Sequence, residues 1–169
     1  MCYTVGRYLL KYNRDTDGKM TDFNDTKWLV NILRTGKPRD EILLKICQYL
    51  KTNIAYYDWV GFYIADPKKH LLNLGPYCGA PTDHVRIPFG QGICGQVAET
   101  LETILVRDVN SESNYLVCSL DVKSEIVIPI FKNEQFVAEL DIDSHQKNSF
   151  SDQDRSFLEK TGSEVAVLF

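Results

Sequence analysis

The sequence predicts an α+β domain, in which a largely antiparallel sheet is flanked by N-terminal and C-terminal helices. Three observations lead to this fold class. Apolar residues recur at helical spacing in the first third of the chain and again near its end. Between these regions lie short apolar segments joined by tight turns. Such turns connect antiparallel neighbours, so hairpins are expected rather than parallel crossover units.

Two helices are predicted ahead of the sheet. The first covers residues 21–34, which carry an apolar stripe, and Gly36 follows its end. The second begins at Pro38, which suits a first helical turn, and continues to about Thr52. Cys47 lies on the apolar face of this second helix, so we interpret it as a core residue.

The remaining elements are strands and two further helices. Aromatic and β-branched residues, which are typical of strands, mark most of the predicted strands. These strands are residues 57–65, 70–75, 84–88, 103–106, 125–131 and 135–143. A helix with a glycine-lined N-terminus is predicted over residues 94–100. The last helix begins at Ser151 or Asp152 and continues through Leu168.

The composition is typical of one globular domain: 169 residues, 44% hydrophobic and 25% charged. We assign residues 1–20 to an N-terminal extension of unclear role and residues 21–169 to a single domain. The formal net charge of −4 and the lack of a basic stripe argue against a nucleic-acid partner. No apolar run is long enough to cross a membrane and no signal peptide is recognised, so a cytoplasmic location is expected.

The five cysteines are widely spread, and their odd number does not indicate a secreted disulfide framework. Without a Cys-x-x-Cys pair or histidines at metal-ligand spacing, no structural metal site is expected. Cys94 lies near a predicted helix N-terminus, where free backbone N–H groups lower a thiol pKa. The neighbouring Gly90, Gly92 and Gly95 match a dinucleotide-binding pattern. The parallel unit that such a site needs is not predicted, so tight packing is the preferred interpretation.

The connection over residues 107–123 carries Cys118. A long connection in a compact domain is usually functional or disordered. This one includes Tyr115, Leu116 and Val117, which are too apolar for a free segment. We therefore predict that it folds over a pocket and directs Cys118 into it. A passive loop cysteine is the alternative.

Period-two spacing places Glu139, Asp141 and Asp143 on one face of the last predicted strand. Glu125, which begins the preceding strand, is positioned to join them. Carboxylates on one face repel one another unless a cation lies among them. The cluster therefore indicates a metal ion or the ammonium group of a substrate. The alternative is the solvated face of an edge strand.

Trp59 and Tyr63 share one face of the first predicted strand, with Gly61 between them. We interpret the pair as an aromatic wall and Gly61 as a gap for a small ligand; ordinary core packing is the alternative. A thiol, a carboxylate cluster and an aromatic wall together predict a site for a small amino compound. Its tail would be apolar or a thioether, and it would carry a group that a thiol can attack.

Six short stretches make the chain similar to a known family. They are residues 58–63, 74–77, 85–88, 90–95, 124–129 and 140–144. In these stretches the sequence resembles the GAF-domain family of free methionine-(R)-sulfoxide reductases, over about residues 58–154. The resemblance implies a GAF-like central antiparallel sheet with the substrate enclosed against one face.

The resemblance also implies a reaction. The family reduces the R epimer of free methionine sulfoxide by thiolate attack on the sulfoxide sulfur, which leaves methionine and a sulfenic acid on the enzyme. A second cysteine converts the sulfenic acid to a disulfide, which thioredoxin reduces. Cys118 is the implied nucleophile. Cys94 matches another family cysteine and is kept as an alternative nucleophile or a resolving residue.

The resemblance assigns the acids and the aromatic wall to substrate binding. It places Glu125, Asp141 and Asp143 at the ammonium group and the sulfoxide oxygen. It places Trp59 and Tyr63 against the methyl-thioether end. No cofactor is expected. Related proteins often pair as dimers, so a homodimer is among the expected assemblies.

One departure from the family pattern concerns the recycling step. His84, which we also place among the substrate-binding residues, stands where the family usually has its resolving cysteine. It is expected to lower the Cys118 pKa if the two side chains are close. Cys78, Cys94 or a small thiol such as glutathione is then expected to resolve the sulfenic acid. The alternative function is a non-catalytic GAF module that binds a small ligand or senses redox state.

Overall fold

The computed structural model describes residues 26–112, 114–116 and 121–169. The helices are α1 (Lys27–Leu33), α2 (Arg39–Asn53), α3 (Gly92–Thr100) and α4 (Asp152–Val165). The strands are β1 (Trp59–Asp66), β2 (Leu71–Cys78), β3 (Arg86–Pro88), β4 (Ile104–Val106), β5 (Ser124–Lys132) and β6 (Gln135–Ser144). Among the described residues, no helix is long and apolar enough to span a bilayer.

All six strands form one sheet in the order β3-β2-β1-β6-β5-β4, and every neighbouring pair is antiparallel. The predicted α+β class with a central antiparallel sheet flanked by helices is therefore confirmed. The predicted N-terminal extension and the first residues of the predicted first helix lie outside the described residues. Within them, predicted and observed elements agree in order.

One boundary differs clearly: β2 continues to Cys78, beyond the Gly75 predicted from sequence. The turn residues Gly75 and Pro76 favoured an early end. In the fold, β3 pairs only with Leu71–Asn73 of β2, so beyond that point the outer edge of β2 faces no strand. A proline is tolerated at such an edge, and pairing with β1 extends to Cys78.

One face of the sheet packs against α1, α2 and α4. Phe62 of β1, Ile128 of β5 and Leu140 of β6 are buried there. Trp28 of α1 stacks on Tyr49 of α2 with ring centroids 4.1 Å apart. Burying a large apolar side chain contributes about 1.5–3 kcal/mol, so this layer stabilises the fold substantially.

The start of α4 is fixed by a capping box. The Ser151 hydroxyl accepts a hydrogen bond from the Asp154 N–H at 3.3 Å, and the Asp154 carboxylate accepts one from the Ser151 N–H at 2.8 Å. The same carboxylate accepts hydrogen bonds from the hydroxyls of Tyr56 and Tyr57, at 2.7 and 2.9 Å. The predicted cap at Ser151 is confirmed, and it ties α4 to the segment between α2 and β1.

Candidate active site

The predicted carboxylates lie together on the sheet face that does not contact α1, α2 and α4. In the β1–β6 pairing, Trp59 is opposite Asp143, Gly61 is opposite Asp141 and Tyr63 is opposite Glu139. In the β5–β6 pairing, Glu125 is opposite Asp143. Cross-strand partners share a face, so three adjacent strands bring the acids and the aromatic wall together.

These acids are buried rather than solvated. Glu125, Glu139, Asp141 and Asp143 are each no more than 3% exposed. Five of their carboxylate oxygens accept no hydrogen bond from any described residue: Glu125 Oε2, Glu139 Oε1 and Oε2, Asp141 Oδ1 and Asp143 Oδ1. An ionised carboxylate without a partner costs several kcal/mol to bury. The alternative of a solvated strand face is therefore wrong for these residues.

Burial raises the pKa of every carboxyl in the cluster. It raises the pKa of Asp141 to about 7 and holds the pKa of Glu139 well above its ordinary value. The pKa of Glu125 is raised by burial and then by Asp141 and Asp143, and that of Asp143 by burial and then by Asp141 and Asp58. Near neutral pH the cluster therefore holds protons that a carboxylic acid can donate.

Trp59 occupies the space that Gly61 was predicted to leave for a ligand. A Cβ atom added to Gly61 or to Gly79 would overlap the Trp59 indole ring. The ring also stacks on Tyr77, with centroids 5.3 Å apart, and its Nε1–H donates to the Ala80 carbonyl at 3.0 Å. The prediction of a ligand gap at Gly61 is wrong, because the glycines accommodate the indole.

Tyr63 connects the aromatic wall to the segment before β3. Its hydroxyl donates to the carbonyl of His84 at 3.0 Å, and the His84 N–H donates to the Thr82 hydroxyl at 3.2 Å. The His84 side chain does not line the cavity described below. Its predicted contact with substrate and its predicted effect on the Cys118 pKa stay predictions.

A cavity of about 270 Å³ lies against this face. It is lined by Lys51, Asp58, Trp59, Tyr63, Gly79, Ala80, Pro81, Thr82, Asp121, Val122, Asp141, Asp143 and His145. Its volume is just below the range of about 300–1,000 Å³ typical of small-molecule pockets, so it suits a ligand of amino-acid size. Of the predicted binding residues, Trp59, Tyr63, Asp141 and Asp143 line it, whereas Glu125 does not.

Cys94 lies deeper, beside the carboxylates. Its Sγ is 4.0 Å from Glu125 Oε1, and the residue is 4% exposed. Burial, followed by Asp141, Glu139 and Glu125, raises the pKa of this thiol well above its ordinary value. The predicted lowering of the Cys94 pKa is therefore wrong, because burial among acids outweighs the helix N-terminus.

Cys78 lies on the other face of the sheet. It pairs with Val60 and belongs to the same apolar layer as Cys47, whose thiol lies 3.5 Å from the Pro76 carbonyl. Cys47 is confirmed as a core residue. The sheet separates Cys78 from the carboxylates, so the geometry gives no support to the predicted resolving role.

The glycine-rich turn before α3 anchors the connection that carries Cys118. Asn114 donates from Nδ2 to the Gly90 carbonyl at 2.8 Å and accepts from the Gly92 N–H at 3.4 Å. A Cβ on Gly92, where φ is +65°, would press on Leu116. Cys118 itself lies outside the described residues. The preferred interpretation, close packing around a tight turn, accounts for these glycines.

Cys94, Glu125 and Asp141 also form a possible ligand set for a metal ion, since one atom from each lies within 4.8 Å of the others. The absence of a metal site thus stays a prediction. The sequence reasoning missed four ionisable residues of the cavity: Lys51, Asp58, Asp121 and His145. Asp58 begins one of the stretches that carry the resemblance. Lys51 and His145 lie at element ends, where no periodicity marks them.

The chain is similar to proteins of known family. A family model for the GAF domain matches residues 36–169. The chain is 32% identical to the free methionine-R-sulfoxide reductase of Saccharomyces cerevisiae over 154 residues, which cover 90% of this chain and 78% of that protein. It is 41% identical to protein YtsP of Bacillus subtilis over 101 residues, 60% of this chain and 61% of that protein.

A solved structure agrees with these matches. It is the free methionine-R-sulfoxide reductase of Neisseria meningitidis in complex with its substrate, with a TM-score of 0.78 and 30% identity over 83% of each chain. The match to YtsP spans less than two thirds of that protein, whereas the yeast and Neisseria matches span most of each chain. The chain belongs to the GAF domain family and, within it, to the free methionine-R-sulfoxide reductases.

Proposed function

We propose that the protein reduces free L-methionine-(R)-sulfoxide to methionine by thiol chemistry. The observation that carries this proposal is the cavity in which buried, proton-holding carboxyls face an aromatic wall. A sulfoxide oxygen is a strong hydrogen-bond acceptor, and a methyl-thioether end is apolar. The two surfaces of the cavity therefore match the two ends of the reacting group.

Asp141 and Asp143 are the cavity acids for proton delivery. A raised pKa keeps a carboxyl protonated near neutral pH, so it can donate to the sulfoxide oxygen as that oxygen gains charge. An ionised carboxylate of the cluster accepts a hydrogen bond from the substrate ammonium group. Glu125 lies behind the cavity as the cross-strand partner of Asp143, and it raises the pKa of the Cys94 thiol without lining the space.

In the proposed reaction, the thiolate sulfur of Cys118 forms a bond to the sulfoxide sulfur while a carboxyl protonates the oxygen. The S–O bond and the newly formed S–S bond then break as the hydroxyl passes to the cysteine sulfur, and the electron pair of the S–S bond stays on the methionine sulfur. The products are methionine, reduced by two electrons, and a cysteine sulfenic acid, oxidised by two. A second thiol condenses with the sulfenic acid, releases water and forms a disulfide.

Chain connectivity supports Cys118 as the nucleophile. Leu116 packs against Gly92, and Val122 lines the cavity, so the chain on both sides of Cys118 is held at the site. Cys94 has a raised thiol pKa, and Cys78 lies across the sheet.

The same arrangement supports an external thiol for recycling. Cys78 faces the helix layer, and His84 stands at the position of the family's usual resolving cysteine. A thiol that enters from solution, from glutathione or from thioredoxin, needs no partner sulfur in the chain. The cytoplasmic location, the homodimer and the single domain over residues 21–169 stay predictions.

The test is turnover of free L-methionine-(R)-sulfoxide with dithiothreitol, compared with the S epimer and with sulfoxide inside a peptide. We expect reduction of the free R epimer alone, with loss of at least about 1,000-fold in Cys118→Ser. Cys78→Ser is the matched control and should retain activity. Binding without turnover in the unmodified protein would replace this proposal with the ligand-binding module.

A further inference from the structure

We propose that Lys51, assisted by His145, binds the α-carboxylate of the substrate and so restricts the site to the free amino acid. This inference rests on the proposed function and deepens it. Both residues line the cavity that Asp141 and Asp143 also line. They are the cavity's only side chains, among those described, that carry or can acquire positive charge.

The charge of the cavity favours such a group. Asp58, Asp121, Asp141 and Asp143 all line the same space of about 270 Å³. A substrate ammonium group is attracted to these acids, but the carboxylate attached to the same α-carbon is repelled by those that are ionised. A cation that meets the substrate carboxylate offsets this repulsion and adds a charge-assisted hydrogen bond.

The ammonium of Lys51 is held beside the acids by the backbone. Its Nζ donates to the Asp58 carbonyl at 2.7 Å, and the Asp58 N–H donates to the Asp143 carbonyl at 2.9 Å. The Asp58 backbone thus connects the Lys51 ammonium to Asp143, an acid that lines the cavity. An ammonium group has three donors, and the Asp58 carbonyl takes one of them.

His145 approaches from the other side of Asp58. Its backbone N–H donates to Asp58 Oδ2 at 2.7 Å, and its Nδ1 lies 3.7 Å from Asp58 Oδ1. The side chain is 51% exposed, so it lies at the rim of the cavity. An imidazole N–H donates a hydrogen bond whether the ring is neutral or charged, so His145 supports Lys51 without replacing it.

This placement gives a physical reason for excluding sulfoxide within a protein. A residue in a peptide has an amide in place of the carboxylate, so it loses the charge-assisted hydrogen bond to Lys51. It also leaves the lysine without its anionic partner in a partly enclosed site. Discrimination against groups that leave a built polar site unpaired is typically large.

The experiment separates binding from turnover. Calorimetry in a Cys118→Ser background compares free L-methionine-(R)-sulfoxide with its primary amide, which lacks only the charged carboxylate. Lys51→Met should weaken binding of the free acid by about 10- to 100-fold and change binding of the amide less than about threefold. Lys51→Arg should bind the free acid almost as tightly as the unmodified residue does, and His145→Ala should weaken binding of the free acid about two- to fivefold.

Lys45→Met is the matched control on the same helix, because Lys45 is outside the cavity. Equal weakening of acid and amide by Lys51→Met would overturn the inference and leave Lys51 a support for the Asp58 backbone. Unchanged binding of the acid would also overturn it. Absence of turnover in the unmodified protein, with acid-selective binding that depends on Lys51, would overturn the proposed reaction but support this inference.

Discussion

The two faces of the sheet are built from the same strands, and both bury apolar side chains, but only one of them buries the cluster of acids. On the face toward α1, α2 and α4, alternate residues such as Phe62, Leu140 and Ile142 are apolar and fully buried. On the other face, the intervening Glu139, Asp141 and Asp143 are also buried. Burial alone therefore does not distinguish a core from a site in this protein.

The difference lies in what burial costs. Each large apolar side chain on the face toward α1, α2 and α4 contributes about 1.5–3 kcal/mol to folding. Each carboxyl on the opposite face loses hydration, which raises its pKa and opposes folding once it ionises. The apolar side chains on the face toward α1, α2 and α4 stabilise the fold. Burial of the acids on the opposite face lowers that stability, but it also keeps a proton available in the site.

The largest expected effect comes from damage to the face toward α1, α2 and α4. Phe62→Ala removes a side chain that is fully buried there. We expect the free energy of unfolding to fall by about 3–5 kcal/mol, because a cavity replaces the ring. Urea denaturation monitored by circular dichroism measures this change. A loss below 1 kcal/mol would show that this layer does not carry the stability assigned to it.

The next effect concerns Asp141 and has the opposite sign. Its folded pKa of about 7 exceeds the unfolded value of about 4, so the folded state binds more protons between these values. The stability that its protonated form contributes is complete below pH 4 and is lost as pH rises through 7. Asp141→Asn should therefore raise the unfolding free energy at pH 8 by about 2–4 kcal/mol while lowering kcat/KM at least about 100-fold.

The control for that prediction is Asp83→Asn, since Asp83 is exposed and does not line the cavity. It should change the free energy of unfolding, and the activation free energy calculated from kcat/KM, by no more than about half a kcal/mol. The free energy of unfolding, measured between pH 4 and pH 8, should change less steeply with pH in Asp141→Asn than in Asp83→Asn. Equal slopes would mean that Asp141 does not hold its proton in the folded state.

The smallest effect comes from two glycines, one on each face. An added Cβ at Gly79 overlaps the Trp59 indole, whereas one at Gly162 in α4 meets Ile130 at 3.4 Å, an ordinary contact distance. Gly79→Ala should cost about 1–3 kcal/mol of stability and raise KM about tenfold, because the aromatic wall must shift. Gly162→Ala should leave KM unchanged and stabilise the helix by up to about 1 kcal/mol. Steady-state kinetics and thermal unfolding of both variants test the contrast; equal KM values would place Trp59 outside substrate binding.

Much of the fold followed from local patterns. The helices, the hairpins and the Ser151 cap depend on residues close in sequence, and each was predicted near its observed position. The sharing of one strand face by Glu139, Asp141 and Asp143 was predicted for the same reason. The extension of β2 past Pro76 was missed, because it depends on where β3 ends.

The sequence by itself determined which side chains share a face, because alternation along a strand is a property of the extended backbone. Only the tertiary structure decided whether that face met water. It buried the acids, filled the Gly61 space with the Trp59 ring and raised the Cys94 pKa. It also brought Lys51 and His145 to one cavity from positions far apart in sequence. Dehydration and long-range contact depend on how distant elements pack, and no local pattern records that.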